Sequence, residues 1–409
     1  MDDDNTTRYE APTRRDCIKY GGGIIGSGLL AGCSGGDSGS TTPGTTTADE
    51  TEPGTSPPTE QSYSVTMAPM GEVSFDAVPE DVYTGLPNTA DMAIAAGRSD
   101  AINAVYYPEY HGTLMNRFYE RLDGVSFEWE SLTDSWGLGK EGFYELDSDV
   151  HLTDPAYAST LDALDQADVE EIREQIAPWF GNYYSNTRSD PPTEWATNYE
   201  YYSLWEMFEK VGQVFQAGDR ARRLAEVHSE LVASIEADLP PESDRPSATL
   251  VFPGQDETFW IYHLNGPGFL SAHTRPLGAP DAFGDAEWSG PSQQVDYEAM
   301  VERDPDVLLV LFTMSTDYNI QDIRDTLEDS PVAQQVSAVE NNRVHAQGVR
   351  YQGPILNLFQ LEMTAKQLYP DAFGEWPTYV DGPYPEIPED EQLFDRQRVA
   401  NIINGEFEA

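Results

Sequence analysis

The chain has 409 residues, 39% of them hydrophobic and 11% aromatic, which is enough to bury two domain cores and too apolar for disorder throughout. With 72 acidic against 23 basic residues its formal net charge is -49, and this excludes nucleic acid as a partner because a phosphate backbone would be repelled from every face. The acids are spread without long runs, the pattern of a surface adapted to concentrated salt rather than of one cation-binding patch.

The first 33 residues read as a targeting segment rather than as fold. Thr13-Arg14-Arg15-Asp16-Cys17-Ile18-Lys19 resembles a twin-arginine export motif, with Arg14 and Arg15 as its pair, and a glycine-rich, mildly apolar run from Gly21 to Ala31 follows. Leu30-Ala31-Gly32-Cys33 then resembles a lipobox, which makes Cys33 the expected lipidated residue of the mature chain. The run is too short to span a membrane, for which about 20 mostly apolar residues are needed. Gly21-Gly22-Gly23-Ile24-Ile25-Gly26 has the spacing of a dinucleotide fingerprint, but no strand precedes it. Both cysteines fall in this segment, so the mature fold is expected to lack disulfides. Residues 34–62, rich in Ser, Thr, Gly, Pro and acid, read as a flexible tether.

From Tyr63 the pattern turns to strands and short helices. Tyr63–Met67 and Glu72–Phe75 predict a hairpin, Val82–Thr84 a strand, Thr89–Ala96 a helix and Ala101–Val105 a buried strand, with an aromatic loop over Tyr106–His111. Glu141–Leu146 reads as a helix, Val150–Thr153 as a strand, and 178–195 as loop. Two helices in series come next. Leu204, Phe208, Val211 and Phe215 share one face of the first; Gly218 ends it, and Asp219 offers an N-cap to the second. That second helix carries Ala221, Leu224, Val227, Leu231 and Ile235 in one stripe until Pro240 and Pro241 stop it, and at about 1.5 Å per residue it spans about 30 Å, a strut across a small domain.

Alternation then resumes, with strands at Ala248–Phe252 and Phe259–Leu264 and a helix at Asp296–Arg303. Val307–Phe312 is the most apolar run of the mature chain, as a central parallel strand covered on both faces would be. Helices are read at Ile320–Leu327, Pro331–Val336 and Gly353–Leu368, and a last strand at Arg343–Gln347; from Trp376 a Pro-rich, then briefly helical tail is expected to lie along the outside. The fold class is α/β: a first lobe over 63–218, a linker helix over 219–239, a second lobe over 240–375 and a tail over 376–409, with mainly parallel sheets and a ligand cleft between the lobes.

Ligands of open α/β sheets bind outside the carboxyl ends of the strands. The rule selects the loops Thr84–Asn88, Tyr106–His111, Pro253–Trp260, Thr313–Tyr318 and Gly348–Tyr351. These loops and the strand ends beside them supply Tyr107, Tyr110, His111, Trp260, Tyr262, Arg350 and Tyr351 as candidate ligand-binding residues. Aromatic rings would stack on the apolar body of a large chelate and the arginine would fork onto its oxygens, although each ring has core packing, and Arg350 a salt bridge, as its alternative. The paired tyrosines Tyr106-Tyr107, Tyr183-Tyr184 and Tyr201-Tyr202 offer phenolates, but neighbours in sequence point apart, which favours packing. The six histidines are scattered, so no dedicated metal site is expected. No G-x-S-x-G, H-E-x-x-H or phosphate-cradling loop occurs in the mature chain, and an enzyme is not expected.

Several segments together resemble the lipid-anchored substrate-binding proteins of ATP-driven importers, of the class that carries ferric siderophores, haem and cobalamin. They are Val78-Pro79-Glu80-Asp81-Val82 with the following helix, Asp296-Tyr297-Glu298-Ala299-Met300, Asp304-Pro305-Asp306-Val307-Leu308-Leu309-Val310, Asn341-Asn342-Arg343-Val344-His345 and Leu368-Tyr369-Pro370. The likeness covers about residues 63–374; 127–146 and the tail after Trp376 depart from it. It implies two lobes joined by one long helix with little hinge motion, a metal-chelate ligand, iron only as part of that chelate and no other cofactor, and a membrane permease with its ATPase as partners. With the acidity and the export signal, it implies a haloarchaeal lipoprotein held at the outer face of the membrane.

Overall fold

A computed structural model describes residues 62–288 and 290–407, all within one compact unit. Arg14, Arg15, Cys33 and the tether lie outside the described residues.

The first lobe opens with the expected antiparallel hairpin, β1 (Tyr63–Met67) and β2 (Gly71–Phe75), whose alternate residues Val65, Met67, Val73 and Phe75 are buried. Its sheet is wholly parallel: β3 (Val82–Thr84), β4 (Ile102–Val105), β5 (Thr133–Asp134) and β6 (Val150–Leu152), in the order β5-β4-β3-β6. The helix after β3 begins at Pro87 rather than Thr89, since proline's fixed φ suits a first helical turn. The same preference corrects the aromatic loop. Pro108 starts a helix, Pro108–Tyr119, so only Tyr106 and Tyr107 are loop while Tyr110 and His111 stand on its first turn.

The second lobe has five strands, β7 (Ala248–Pro253), β8 (Thr258–Tyr262), β9 (Ser292–Asp296), β10 (Val307–Val310) and β11 (Val344–Ala346), ordered β11-β10-β7-β8-β9. The apolar run is indeed central, every residue of β10 being buried between parallel neighbours. The β7-β8-β9 half is antiparallel, because only Gly254–Glu257 join β7 to β8 and a parallel crossover needs a dozen or more residues. The helix expected over Pro331–Val336 is a single tight turn, Ala333–Gln335, followed by Ser337–Glu340.

The strut is the helix Gly218–Asp238, and its buried residues are the five read as its stripe. It packs on the first-lobe helix Leu204–Val214 and, at the other end, on the Arg275–Leu277 turn of the second lobe. Asp219 does not cap it; Ala217 holds that position and Asp219 sits in the first turn, where its charge suits the helix dipole and pairs with Arg222. A second element also joins the lobes. All fifteen residues of the helix Pro354–Leu368 are buried, and it packs against both the strut and the first-lobe helix Pro87–Ala95. Asp91, from that first-lobe helix, accepts the Leu356 amide at 3.1 Å and the Tyr119 hydroxyl at 2.5 Å, so one lobe caps the helix of the other. Burial pushes the Asp91 carboxyl up to about 7 against these hydrogen bonds.

The tail runs along the outside with many of its residues exposed, but it sends selected side chains into the core. Tyr384 is fully buried against Phe118, Phe359 and Trp376, and its hydroxyl donates to Glu362 at 2.8 Å. Glu362 in turn pairs with Arg396 at 2.7 Å inside the protein. Arg117 of the first lobe and Arg324 of the second both hydrogen-bond Tyr379, so the tail straps one lobe to the other.

Candidate ligand-binding cleft

The parallel strands of both lobes end at a common cleft. On the first lobe, β4 runs out into Tyr106 and Tyr107, and β6 into Asp154 and Tyr157. Asp154 caps the short helix Pro155–Ala158 and accepts the Ala156 amide at 2.8 Å, the Tyr183 amide at 2.7 Å and the Tyr199 hydroxyl. Burial pushes its pKa up to about 6 despite these donors. The result is a fixed platform on which Tyr157 and Tyr183 stack, their rings 3.8 Å apart and 13° from parallel.

The second lobe meets this platform through the loop after β11. Tyr351 and Tyr183 hydrogen-bond hydroxyl to hydroxyl at 3.1 Å across the cleft. Beside Tyr351 the Arg350 guanidinium lies 4.1 Å from the centre of the Tyr262 ring, a cation–π contact. The Arg350 Nε is buried and has no hydrogen-bond partner among the described residues. Burial lowers its pKa from the usual guanidinium value, and the groups that oppose this are phenols, those of Tyr262, Tyr351 and Tyr183, not carboxylates. Among the described residues of this strongly acidic chain, the salt bridge held open from sequence is not formed; the cleft keeps a cation without a carboxylate partner. Such a charge is costly to bury unless something pairs with it.

The structure brings Arg350, Tyr351 and Tyr262 together. Tyr262 lies on β8 with Trp260 two residues earlier on the same half-buried face, opposite in phase to the buried Phe259 and Ile261. Trp260 stands across from Phe252 in the sheet, one strand repeat from the guanidinium platform, roughly 7 Å along the strand. Tyr110 reaches the other lobe as well: its ring is 6.3 Å from Phe312, and its hydroxyl bonds Ser315 of the loop after β10. His111 is part of the scaffold. It is buried, its Nδ1 is 2.7 Å from the Tyr106 carbonyl oxygen, and burial lowers its pKa to about 4, so the ring is neutral and holds the strand end in place. Among the described residues no group of three or more His, Cys, Asp or Glu is arranged to hold a metal ion, and no helix is long and apolar enough to cross a membrane.

The architecture has known counterparts. A family model described as periplasmic binding protein matches residues 153–347, from the end of β6 to the loop that carries Arg350. The fold is that of the periplasmic binding proteins. Among solved structures, a periplasmic binding protein from Veillonella parvula is 18% identical, with 78% of this chain and 95% of that one covered and a TM-score of 0.55. The iron uptake ABC transporter substrate-binding protein PiuA from Streptococcus pneumoniae is 18% identical over 77% of this chain and 99% of its own, at a TM-score of 0.52. CeuE from Helicobacter pylori with Ni(II) bound is 12% identical over 76% and 90%, also at 0.52. No curated protein matches the sequence.

Within this periplasmic-binding-protein fold, Tyr157 is not among the residues read from sequence as candidates, and Tyr183 is named there only in a tyrosine pair for which packing is favoured. The signal was available for the first: Val150–Thr153 was read as a strand, and the rule that selected the other strand-end loops applies equally to Asp154–Tyr157. The strand-end rule does not reach Tyr183, which sits in a long loop that only tertiary contacts bring to the cleft. Behind Arg350 lies a polar layer also invisible from sequence, in which Gln352 bonds His273 at 2.7 Å and accepts from Asn357 at 3.0 Å and Gln360 at 3.1 Å. His273 is held neutral, its pKa lowered to about 3 by burial and by the nearby Arg350 charge. This layer fixes the loop that presents the guanidinium.

Proposed function

We propose that this chain is an extracellular solute-binding lipoprotein, exported by the twin-arginine route and anchored through Cys33, that captures a metal chelate and delivers it to a membrane permease driven by an ATPase. Ferric siderophore is the first ligand class, with haem and cobalamin as the alternative within the same role. The observation that carries the reading is Arg350, a cation with a buried, unpartnered Nε set between lobes amid tyrosine rings. A chelate's carboxylate or hydroxamate oxygens would give that guanidinium the anion it lacks while the rings cover the apolar body. The periplasmic-binding-protein fold supports a binding role, and the iron-uptake role of PiuA favours iron among the candidate metals. The strut, the buried helix and the tail strap favour small lobe motion, as in a binder preset near its closed form.

The test is titration of intrinsic tryptophan fluorescence in concentrated KCl with ferric hydroxamates, haem and cobalamin. At least one should bind below about 10 µM, roughly 7 kcal/mol, and Arg350→Ala should weaken an anionic chelate by about tenfold or more. Failure of every ligand removes the chelate reading, and unchanged affinity in the variant removes Arg350 from the site. Anchoring is tested separately: Cys33→Ser should release the protein from the membrane fraction.

A further inference from the structure

One feature of the cleft mouth is not used by the Arg350 contact. Trp136 is the most exposed large apolar side chain among the described residues, at 48%. It follows β5 directly, in the 127–146 stretch, and so stands at the carboxyl end of two adjacent parallel strands. The position is constructed rather than incidental. One oxygen of Asp134 accepts the backbone amides of both Tyr107 and Trp136, each at 3.0 Å. Holding those two amides at one point puts Tyr107 in the left-handed region, φ 44 and ψ 75, a conformation that residues other than glycine rarely adopt and that clusters at functional sites.

The rings that result form one surface. Trp136 lies 6.2 Å from Tyr107 at 30°, and Tyr106 meets Trp136 edge-on at 5.3 Å and Tyr107 at 4.7 Å. The Tyr157–Tyr183 stack beside Tyr351 and Arg350 follows β6 of the same parallel sheet, two strands from β4, out of which Tyr106 and Tyr107 emerge. Shelf and platform therefore stand along the same carboxyl edge of the first-lobe sheet. A folded protein gains nothing by leaving an indole face in water, whereas a flat conjugated group laid on it would gain both buried area and ring–ring contact. An aliphatic chelate would gain the area alone.

Resting on the solute-binding reading above, we propose that Trp136 and Tyr107 form a stacking shelf that selects chelates with a flat conjugated face, so that the ligand is an aryl or tetrapyrrole chelate rather than an aliphatic one. The experiment compares three probes in concentrated KCl: the ferric complex of a tris-catecholate, haemin, and the ferric complex of an aliphatic trihydroxamate. Each is titrated into the wild-type chain and into Trp136→Ala and Trp136→Phe. Expected are tighter binding of a flat probe than of the trihydroxamate, a loss of about tenfold for that probe in Trp136→Ala, near the upper end of one aromatic pair, and near-wild-type affinity in Trp136→Phe. Trp136 is exposed, so the substitution does not endanger folding, and circular dichroism of each variant checks this. Preference for the trihydroxamate, or flat-probe affinity unchanged in Trp136→Ala, overturns the shelf while leaving the solute-binding role standing. Binding of none of the three probes overturns both.

Discussion

His151 should make this protein acid-sensitive in a way that a single substitution can isolate. The side chain lies on β6, the last strand of the first-lobe sheet, fully buried among Tyr83, Phe143 and Trp179, with ring centroids 5.8, 5.1 and 4.7 Å away. Neither ring nitrogen has a hydrogen-bond partner among the described residues. Burial lowers its pKa to about 3. The group is neutral in both states above pH 6.5; as pH falls, the unfolded chain takes up the proton first and the folded chain only near pH 3, so stability is lost across that window. The full loss is about 5 kcal/mol, and at pH 5 about 2 kcal/mol of it has been spent. Replacing His151 by Phe keeps a ring in an aromatic cage and removes both the titration and the two orphaned nitrogens. Denaturant unfolding in concentrated KCl at pH 7.5, 6 and 5 should show the variant gaining on the wild type by about 2 kcal/mol between the first and last conditions. Stability curves that run parallel over this range would refute the reasoning, since the wild-type histidine would then titrate alike in both states.

Other outcomes follow from the same structure. The carboxyl of Asp91 has its folded pKa raised, so its contribution runs the opposite way, present below pH 3.8 and lost as pH rises towards 7; relative to the wild type, Asp91→Asn should become steadily more favourable from pH 4 to 7, and a difference independent of pH would show an ionised carboxylate throughout. Glu362→Ala strands the buried Arg396 charge and the Tyr384 hydroxyl, and should cost about 3–5 kcal/mol in equilibrium unfolding; a loss under about 1 kcal/mol would mean the tail is not held by this pair. A Cβ at Gly268 would meet the Asn186 carbonyl oxygen at 1.9 Å across the lobe boundary, so Gly268→Ala must push the lobes apart there; faster amide exchange around 183–187 without global unfolding is the expected readout, and an unchanged exchange pattern contradicts it.

What could be read from the chain, and what could not, divides along the range of the interactions involved. Val307–Val310 was recognisable as a central strand because burial on both faces demands an unbroken apolar run, and the strut because its five buried residues repeat at helical spacing. Strand β9 was missed because an edge strand with one buried residue in five leaves little pattern, and the helix from Pro108 because the tyrosines of its first turn read as loop. Of the candidate residues, Arg350, Tyr351 and Tyr262 come together and His111 is buried against the Tyr106 carbonyl; Tyr183 is in sequence only one of a tyrosine pair, and Tyr157 and Trp136 carry no mark there.

The sequence by itself determined two α/β lobes with a helix between them, and the composition of the strand-end loops, since periodicity and strand-end position are local properties of the chain. Only the tertiary structure decided that Arg350 faces phenols instead of one of 72 acids, that Asp91 of one lobe caps a helix of the other, and that the tail anchors itself by burying Tyr384 and Arg396 in the core. Each of these rests on pairings between residues brought together only by the fold, or on the absence of one, and the free energy of such a pairing depends on burial and geometry that no local pattern carries.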